Sequence, residues 1–174
     1  ANPIEKFIPK SGEIAGAIEV QESIGSYMNQ LDKMAKGLAL SVNAIHSGSM
    51  DSNIKDTTKT LDFFVASDGK DEAGISAKNI SINALILENP SLINTKENAD
   101  AGEGDGSRAL AIAQLQSTLI SISKIDSTTT RAQLCKFTNG STMSLVNDVA
   151  SGTKVESYFQ DVVDKLGVEA QHAK

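Results

Sequence analysis

Chemistry in a protein chain needs particular side chains at particular spacings, and the candidates here are few: two histidines, one cysteine and a scatter of carboxylates among 174 residues. His46 falls at the end of a helical pattern and His172 among the last residues of the chain. Neither has a Cys, His, Asp or Glu at the spacing of a metal-ligand set. Cys135 is the single cysteine, so it closes no internal disulfide, and it reads as a small apolar residue. Residues 95–106 concentrate acids and glycines, with Glu97, Asp100, Glu103 and Asp105 among Gly102, Gly104 and Gly106. Calcium is the chemistry such a loop suggests. It lacks the acidic spacing and the closing bidentate Glu of an EF-hand, and there is no repeated glycine-aspartate array. It therefore reads as a flexible loop in which Asp105 or Ser107 caps the next helix. Asp161 and Asp164 lie on the water-facing side of the last helical pattern, as solvated charges rather than a general acid/base pair. No Gly-x-Ser-x-Gly elbow and no Gly-x-x-x-x-Gly-Lys phosphate loop is present. The sequence predicts a protein that is not an enzyme, with no catalytic, cofactor-binding or metal-binding residues and no cofactor.

The composition agrees. A net charge of −6 argues against nucleic acid and anionic membranes as partners. Aromatic residues are 4% of the chain and Trp is absent, so the core must be aliphatic. Such cores suit helix packing better than a pocket for a planar cofactor. No signal peptide and no apolar run of membrane-spanning length is visible. The chain begins Ala1-Asn2-Pro3 without an initiator methionine and ends directly after a helical pattern, which reads as a piece of a longer protein.

The element that must position everything else is the stretch 12–46, which has no proline and reads as one helix about 50 Å long. Ile24, Met28, Leu31, Ala35, Leu38, Val42 and Ile45 step by four and three, the spacing of a helix packed lengthwise against others. The expectation is that this row is buried against a helix beginning at Ser107 and against the final helix. Glu22, Asn29, Gln30, Lys33, Lys36, Asn43 and His46 are expected on the face left in water. Gly37 is expected to allow close approach of a neighbouring helix, and Gly48 to stop this one.

Before this helix lies a leader containing Pro3 and Pro9, with Ser11 as its expected cap. After it, residues 50–95 read as short strands and loops. A strand is expected at 61–65, a turn at Asp68-Gly69, a second strand at 75–82, and a helical turn at 83–87 stopped by Asn89-Pro90. A helix is expected over 107–123, with Ile112, Leu115, Leu119 and Ile122 on one side. Residues 124–152 read as an irregular insert, with a hairpin turn at Asn139-Gly140 between 134–137 and 142–146. The last helix, 154–171, is opened by the capping-box spacing of Thr153 and Glu156 and carries Val155, Tyr158, Phe159, Val162, Val163 and Leu166, with Gly167 near its end or at a kink. The predicted fold class is mainly α: an elongated bundle of long helices with a small β-hairpin or short-strand appendage, in one rod-like domain over 1–174.

An ordered series of short motifs carries a resemblance. Ser11-Gly12-Glu13-Ile14-Ala15-Gly16 opens the long helix, and Gln30-Leu31-Asp32 and Val42-Asn43-Ala44-Ile45-His46-Ser47-Gly48 close it. Asp62-Phe63-Phe64, Ile80-Ser81-Ile82 and Glu88-Asn89-Pro90 follow. Then come Gly104-Asp105-Gly106-Ser107-Arg108-Ala109-Leu110, Tyr158-Phe159 and Leu166-Gly167-Val168-Glu169-Ala170-Gln171. In this order they resemble the flagellar hook-associated protein 1 family, the first junction protein between hook and filament. Three features depart from that family: the short stretch between Phe64 and Ile80, where larger members insert an outer β domain; the long stretch 124–153; and the cysteine.

The resemblance implies a non-catalytic structural subunit of the bacterial flagellum at the hook–filament junction. It implies export by the flagellar secretion apparatus, an extracellular location, and assembly with other copies of itself in a ring. The implied neighbours are the hook protein and the second hook-associated junction protein, with an export chaperone bound through a region outside this sequence. The polymerising terminal helices would also lie outside it, leaving the rod-like middle domain, monomeric in isolation. The alternative reading is an extracellular helical binding or adhesion module, which a broad exposed aromatic patch would favour.

Overall fold

A computed structural model describes residues 11–69, 71–137, 143–146 and 149–172. The leader up to Lys10 and the Asn139-Gly140 turn lie outside the described residues. Helix α1 runs Glu13–Ser47 without a break. Its cap position is Gly12, not Ser11, and no side chain bonds there. At the other end Gly48 takes the left-handed conformation, φ 65°, and returns its N–H to the Ala44 carbonyl at 3.1 Å. A residue with a Cβ resists that conformation, so the glycine fixes where α1 ends.

The two halves of α1 live in different surroundings. From Ala35 to His46 nearly every residue is buried, whichever way it points. Leu40 and Ala44 face Ile120, Ile122, Ile125, Leu134, Tyr158 and Val162. Val42 and Ile45 face Ala111 and Leu115, and Ala39 faces Ala66 and Ile75. Upstream, Ile14, Val20, Ile24 and Met28 are exposed. The expectation that the whole heptad row from Ile24 to Ile45 is buried therefore fails at Ile24 and Met28, because the elements around α1 gather at its C-terminal half. The expectation that Lys36, Asn43 and His46 face water fails for the same reason: they are 4%, 0% and 1% exposed.

What surrounds that half is mostly short and irregular. Strand β1, Phe64–Ala66, pairs antiparallel with β2, Ile80–Ile82, in the register Phe64↔Ile82, Val65↔Ser81 and Ala66↔Ile80. Both strands are shorter than the sequence suggests. Leu61 and Asp62 are tied elsewhere, Asp62 N–H to the Asn53 carbonyl at 2.7 Å. Asn79 Oδ1 draws in the Ser76 amide at 2.7 Å and makes a turn ahead of β2. Helix α2, Ala84–Glu88, follows, capped by the Asn83 side chain, and a 3-10 turn, Pro90–Leu92, comes after it.

Helix α3 spans Ser107–Gln114 rather than 107–123. The Ser117 and Thr118 hydroxyls both bond the Gln114 carbonyl at 3.0 Å, closing the helix end. The chain then extends, and Ile120 pairs with Thr153 through two backbone bonds of 3.0 and 2.9 Å. A 3-10 turn at Ile122–Lys124 follows, and Ile120, Ile122 and Ile125 are all 1% exposed. The stretch expected to be an irregular insert contributes to the core. It holds α4, Arg131–Leu134, with its Thr130/Gln133 capping box, and the antiparallel pair β3, Cys135–Phe137, and β4, Ser144–Val146. Gly37 does receive a close neighbour, but it is the Ile125 side chain rather than a helix: a Cβ on Gly37 would lie 2.6 Å from Ile125 Cδ1.

Helix α5 runs Val155–His172, straight through Gly167. Thr153 lies two residues ahead of it and spends its backbone on Ile120, and the first helical bond is Tyr158 N–H to the Lys154 carbonyl at 2.9 Å. Thr153 is therefore not the cap the sequence suggests. Gly152 is required just before it, because a Cβ there would meet the Ile120 backbone at 2.9 Å. The long members of the helical layer are thus α1 and α5, in a chain that is mainly α with two small antiparallel strand pairs.

Irregular segments bring unpaired backbone groups inside, and each must find a partner. Buried side chains supply them. Asn43 pairs with Phe64 as a strand would, its Nδ2 donating to the Phe64 carbonyl at 2.8 Å and its Oδ1 accepting the Phe64 amide at 2.7 Å. Lys36 Nζ donates to the carbonyls of Ala73, Asp126 and Ser127 at 3.2, 2.8 and 2.9 Å. Arg108 Nε and Nη2 donate to the carbonyls of Lys96 and Glu97 at 2.6 and 2.7 Å, while its Nη1 reaches Ile45. Arg131 is 1% exposed and makes the densest set. Its Nε lies 2.8 Å from both Glu72 carboxylate oxygens and its Nη2 2.5 Å from Asp62. Its Nη1 donates to Ser47 Oγ and to the Ser49 and Asp51 carbonyls. Burial works against the guanidinium charge, but Glu72 and Asp62 outweigh it and push the pKa up. Truncation to Arg131→Met strands two carboxylates in the interior. It is expected to cost about 3–5 kcal/mol in urea unfolding, where an exposed ion pair would cost under about 1.

Candidate assembly surface

The side chains with the types for chemistry are dispersed and occupied. His46 is buried, with Nδ1 2.8 Å from the Leu61 carbonyl and Nε2 accepting the Asn94 amide at 2.9 Å. A carbonyl only accepts, so Nδ1 carries the proton and the ring is neutral. Burial, before any neighbour, holds its pKa below the usual histidine value, and the Arg108 guanidinium adds to that. Cys135, at the start of β3, is buried in the cluster with Ile120, Ile122 and Leu134, and burial pushes its thiol up to about 12, far from a nucleophile's range. In the acidic loop, Asp105 accepts the amides of Glu97 and Ser107 at 2.7 and 3.0 Å and the Ser107 hydroxyl at 2.6 Å. Those bonds hold its carboxyl below the ordinary range, the Glu97 amide foremost. Its oxygens close the loop and tie the start of α3. Asp161 and Asp164 are exposed on α5, Asp164 accepting from Gln160 at 3.0 Å. Among the described residues, no group of three His, Cys, Asp or Glu side chains could hold a metal ion, and no helix is long and apolar enough to cross a membrane.

The surface that stands out is apolar. Helix α5 runs antiparallel along α1, with Lys165 and Glu169 near Glu22 to Gln30 in the middle of α1. Tyr158 and Val162 pack near Leu40 and Ala44, and the Tyr27 hydroxyl pKa is raised by burial first and then by the nearby Glu169 carboxylate. This antiparallel pair covers only part of each apolar stripe. On α1, Ile24 and Met28 are 54% and 58% exposed. On α5, Phe159, Val163 and Leu166 are also exposed. At the lower end the stripe sinks into an open cavity of about 630 Å³ lined by Met34, Leu38 and Val42 of α1, Ile112 and Leu115 of α3, and Val155 and Phe159 of α5. Helical spacing puts Val20, Ile24, Leu31, Leu38 and Val42 on one side of α1, a row roughly 33 Å long that is exposed at Val20 and Ile24 and sinks to the buried Val42 at the cavity. A long apolar row left in water between two helices is a place for further helix, since helices owe most of their stability to the face they bury.

The family model of the flagellar hook-associated protein FlgK helical domain matches residues 2–64. Over that stretch, about a third of the chain, the sequence is similar to the FlgK helical domain. The FlgK family is a flagellar hook-associated, structural family, and its matched stretch here ends at the first residue of β1, with the whole of α1 inside it. No curated protein and no solved structure matches the chain. The motifs beyond Phe64 that contribute to the resemblance, from Ile80-Ser81-Ile82 to the end of α5, lie outside the FlgK match. So do the buried cations Arg108, which the sequence offers only as part of the Gly104–Leu110 motif, and Arg131, which no sequence pattern singled out. A cue for Arg131 existed in the Thr130/Gln133 spacing, which marks a helix start inside the supposed insert.

If the exposed row serves assembly rather than folding, its truncation should leave the FlgK-type helix stable. Ile24→Ala and Met28→Ala are expected to change unfolding free energy by no more than about 0.5 kcal/mol. Leu40→Ala, at 1% exposure on the same helix, should cost about 2–5 kcal/mol in the same urea titration.

Proposed function

We propose that this chain is part of a hook–filament junction subunit, a non-catalytic structural component of the flagellum outside the cell. The single observation that carries the reading is the FlgK match over residues 2–64 falling on the helix whose upstream half keeps its apolar row in water. In a subunit of a helical assembly that row is covered by helices of the complete protein, and the remaining faces meet other copies of itself in a ring. The hook protein lies on one side of the ring and the second hook-associated junction protein on the other. Binding of an export chaperone belongs to segments outside these 174 residues. In this reading the isolated chain is a monomer without enzymatic activity.

The test uses the full-length gene with Met28→Asp and Phe159→Asp, an exposed residue of the upstream half of α1 and an exposed residue of α5 that lines the cavity. The isolated chain carrying both changes is expected to keep its melting temperature. The full-length variant is expected to be exported yet missing from hook tips examined by electron microscopy with a labelled antibody. Hook tips occupied as in the wild type would overturn the assignment of this face to assembly.

A further inference from the structure

The C-terminal end of α1 is joined to the segment at Asn94 by a latch that only a neutral imidazole can close. The His46 ring, 1% exposed, bridges two chain segments: Nδ1–H donates to the Leu61 carbonyl and Nε2 accepts the Asn94 amide. Asn94 Nδ2 returns a bond to the His46 carbonyl at 3.0 Å, and the Phe63 ring meets the imidazole edge-on at 5.5 Å between centroids. We propose that His46 is a proton-operated latch, and that protonation at Nε2 releases Asn94 from α1 while the Arg108 bonds and the rest of the core stay in place.

Protonation acts on the latch both sterically and electrostatically. A proton on Nε2 removes the acceptor and turns two N–H groups toward each other at 2.9 Å. It also places a charge inside the protein, where an uncompensated charge is costly. The charged groups facing the ring from the elements around it give little relief. Arg108 of α3, which holds the carbonyls of Ile45, Lys96 and Glu97, repels the imidazolium. Asp62, ahead of β1, attracts it, but its carboxylate is engaged by Arg131 and by Ser52 Oγ at 2.6 Å. Lys96 and Glu97 contribute backbone carbonyls to Arg108 on this side, and Asp105 binds the Glu97 amide. The neutral ring is favoured in the folded chain. The stability it lends is therefore complete above the ordinary histidine pKa near 6.5 and is lost as pH falls from there through the lower folded value.

The experiment follows amide exchange by NMR, corrected for intrinsic rates, on the chain with His172→Gln so that His46 is the only imidazole. Between pH 7 and pH 5 the protection of the Asn94 amide is expected to fall severalfold as the open, protonated form gains population. Amides of Leu40 to Ala44 should keep theirs. His46→Gln, whose side-chain oxygen can accept the Asn94 amide without titrating, should abolish that pH dependence. The ring itself should report the Nδ1–H tautomer and titrate below 6.5, which tests the idea even if the Gln variant does not fold. Asn94 protection unchanged down to pH 5, or a His46 ring titrating at or above 6.5, overturns the proposal.

Discussion

Arg131 is the interaction on which the lower half of the molecule depends. Its guanidinium joins a carboxylate from the segment before β1, another from the turn after it, and carbonyls from the chain just past α1. None of these segments has enough regular structure to satisfy its own backbone. A fork with five donors can serve several of them at once, which a lysine's point charge does less well. Lys36, Asn43, His46 and Arg108 repeat the device around the same helix end. The result is a helix whose polar side chains face inward because the groups that need them are inside.

That inversion also explains what the sequence could and could not reveal. The extent of α1, its stop at Gly48 and the existence of α5 follow from local rules: no proline, a left-handed glycine, a stripe at helical spacing. Burial does not. Lys36, Asn43 and His46 have the composition of a wet face, and only the packing of loops against α1 reverses that reading. The stretch from Ser117 to Ile125 misleads in another way. Its isoleucines fit a helical step at Ile122, yet Ile120 and Ile122 also alternate with serine, which is the period of extended chain. The backbone pairing with Thr153 favours the extended form. Along α1, the heptad row that reads as core from Ile24 to Ile45 is core only from Ala35 onward. Nothing in the spacing tells an internal partner from an external one.

The division along α1 gives the FlgK-type stretch two tasks. Its lower part is the spine of the folded unit, enclosed by β1, α3, α4 and α5. Its upper part, with α5 beside it, offers mostly aliphatic side chains and leads to the cavity below, where Phe159 supplies an aromatic ring. That chemistry suits permanent coverage by helix more than reversible recognition, where aromatic and arginine anchors dominate.

The bridge between Ile120 and Thr153 reaches further than its two hydrogen bonds suggest. It sits immediately before α5 and leaves one intervening residue, Lys154, before the helix begins. Each residue of an α-helix turns the following side chains by about 100°. One residue inserted or removed at this junction would rotate Phe159, Val163 and Leu166 away from the row on α1 without altering either helix. The azimuth of α5 is thus set by main-chain contact with a distant loop, and Gly152 keeps that contact close enough to hold it.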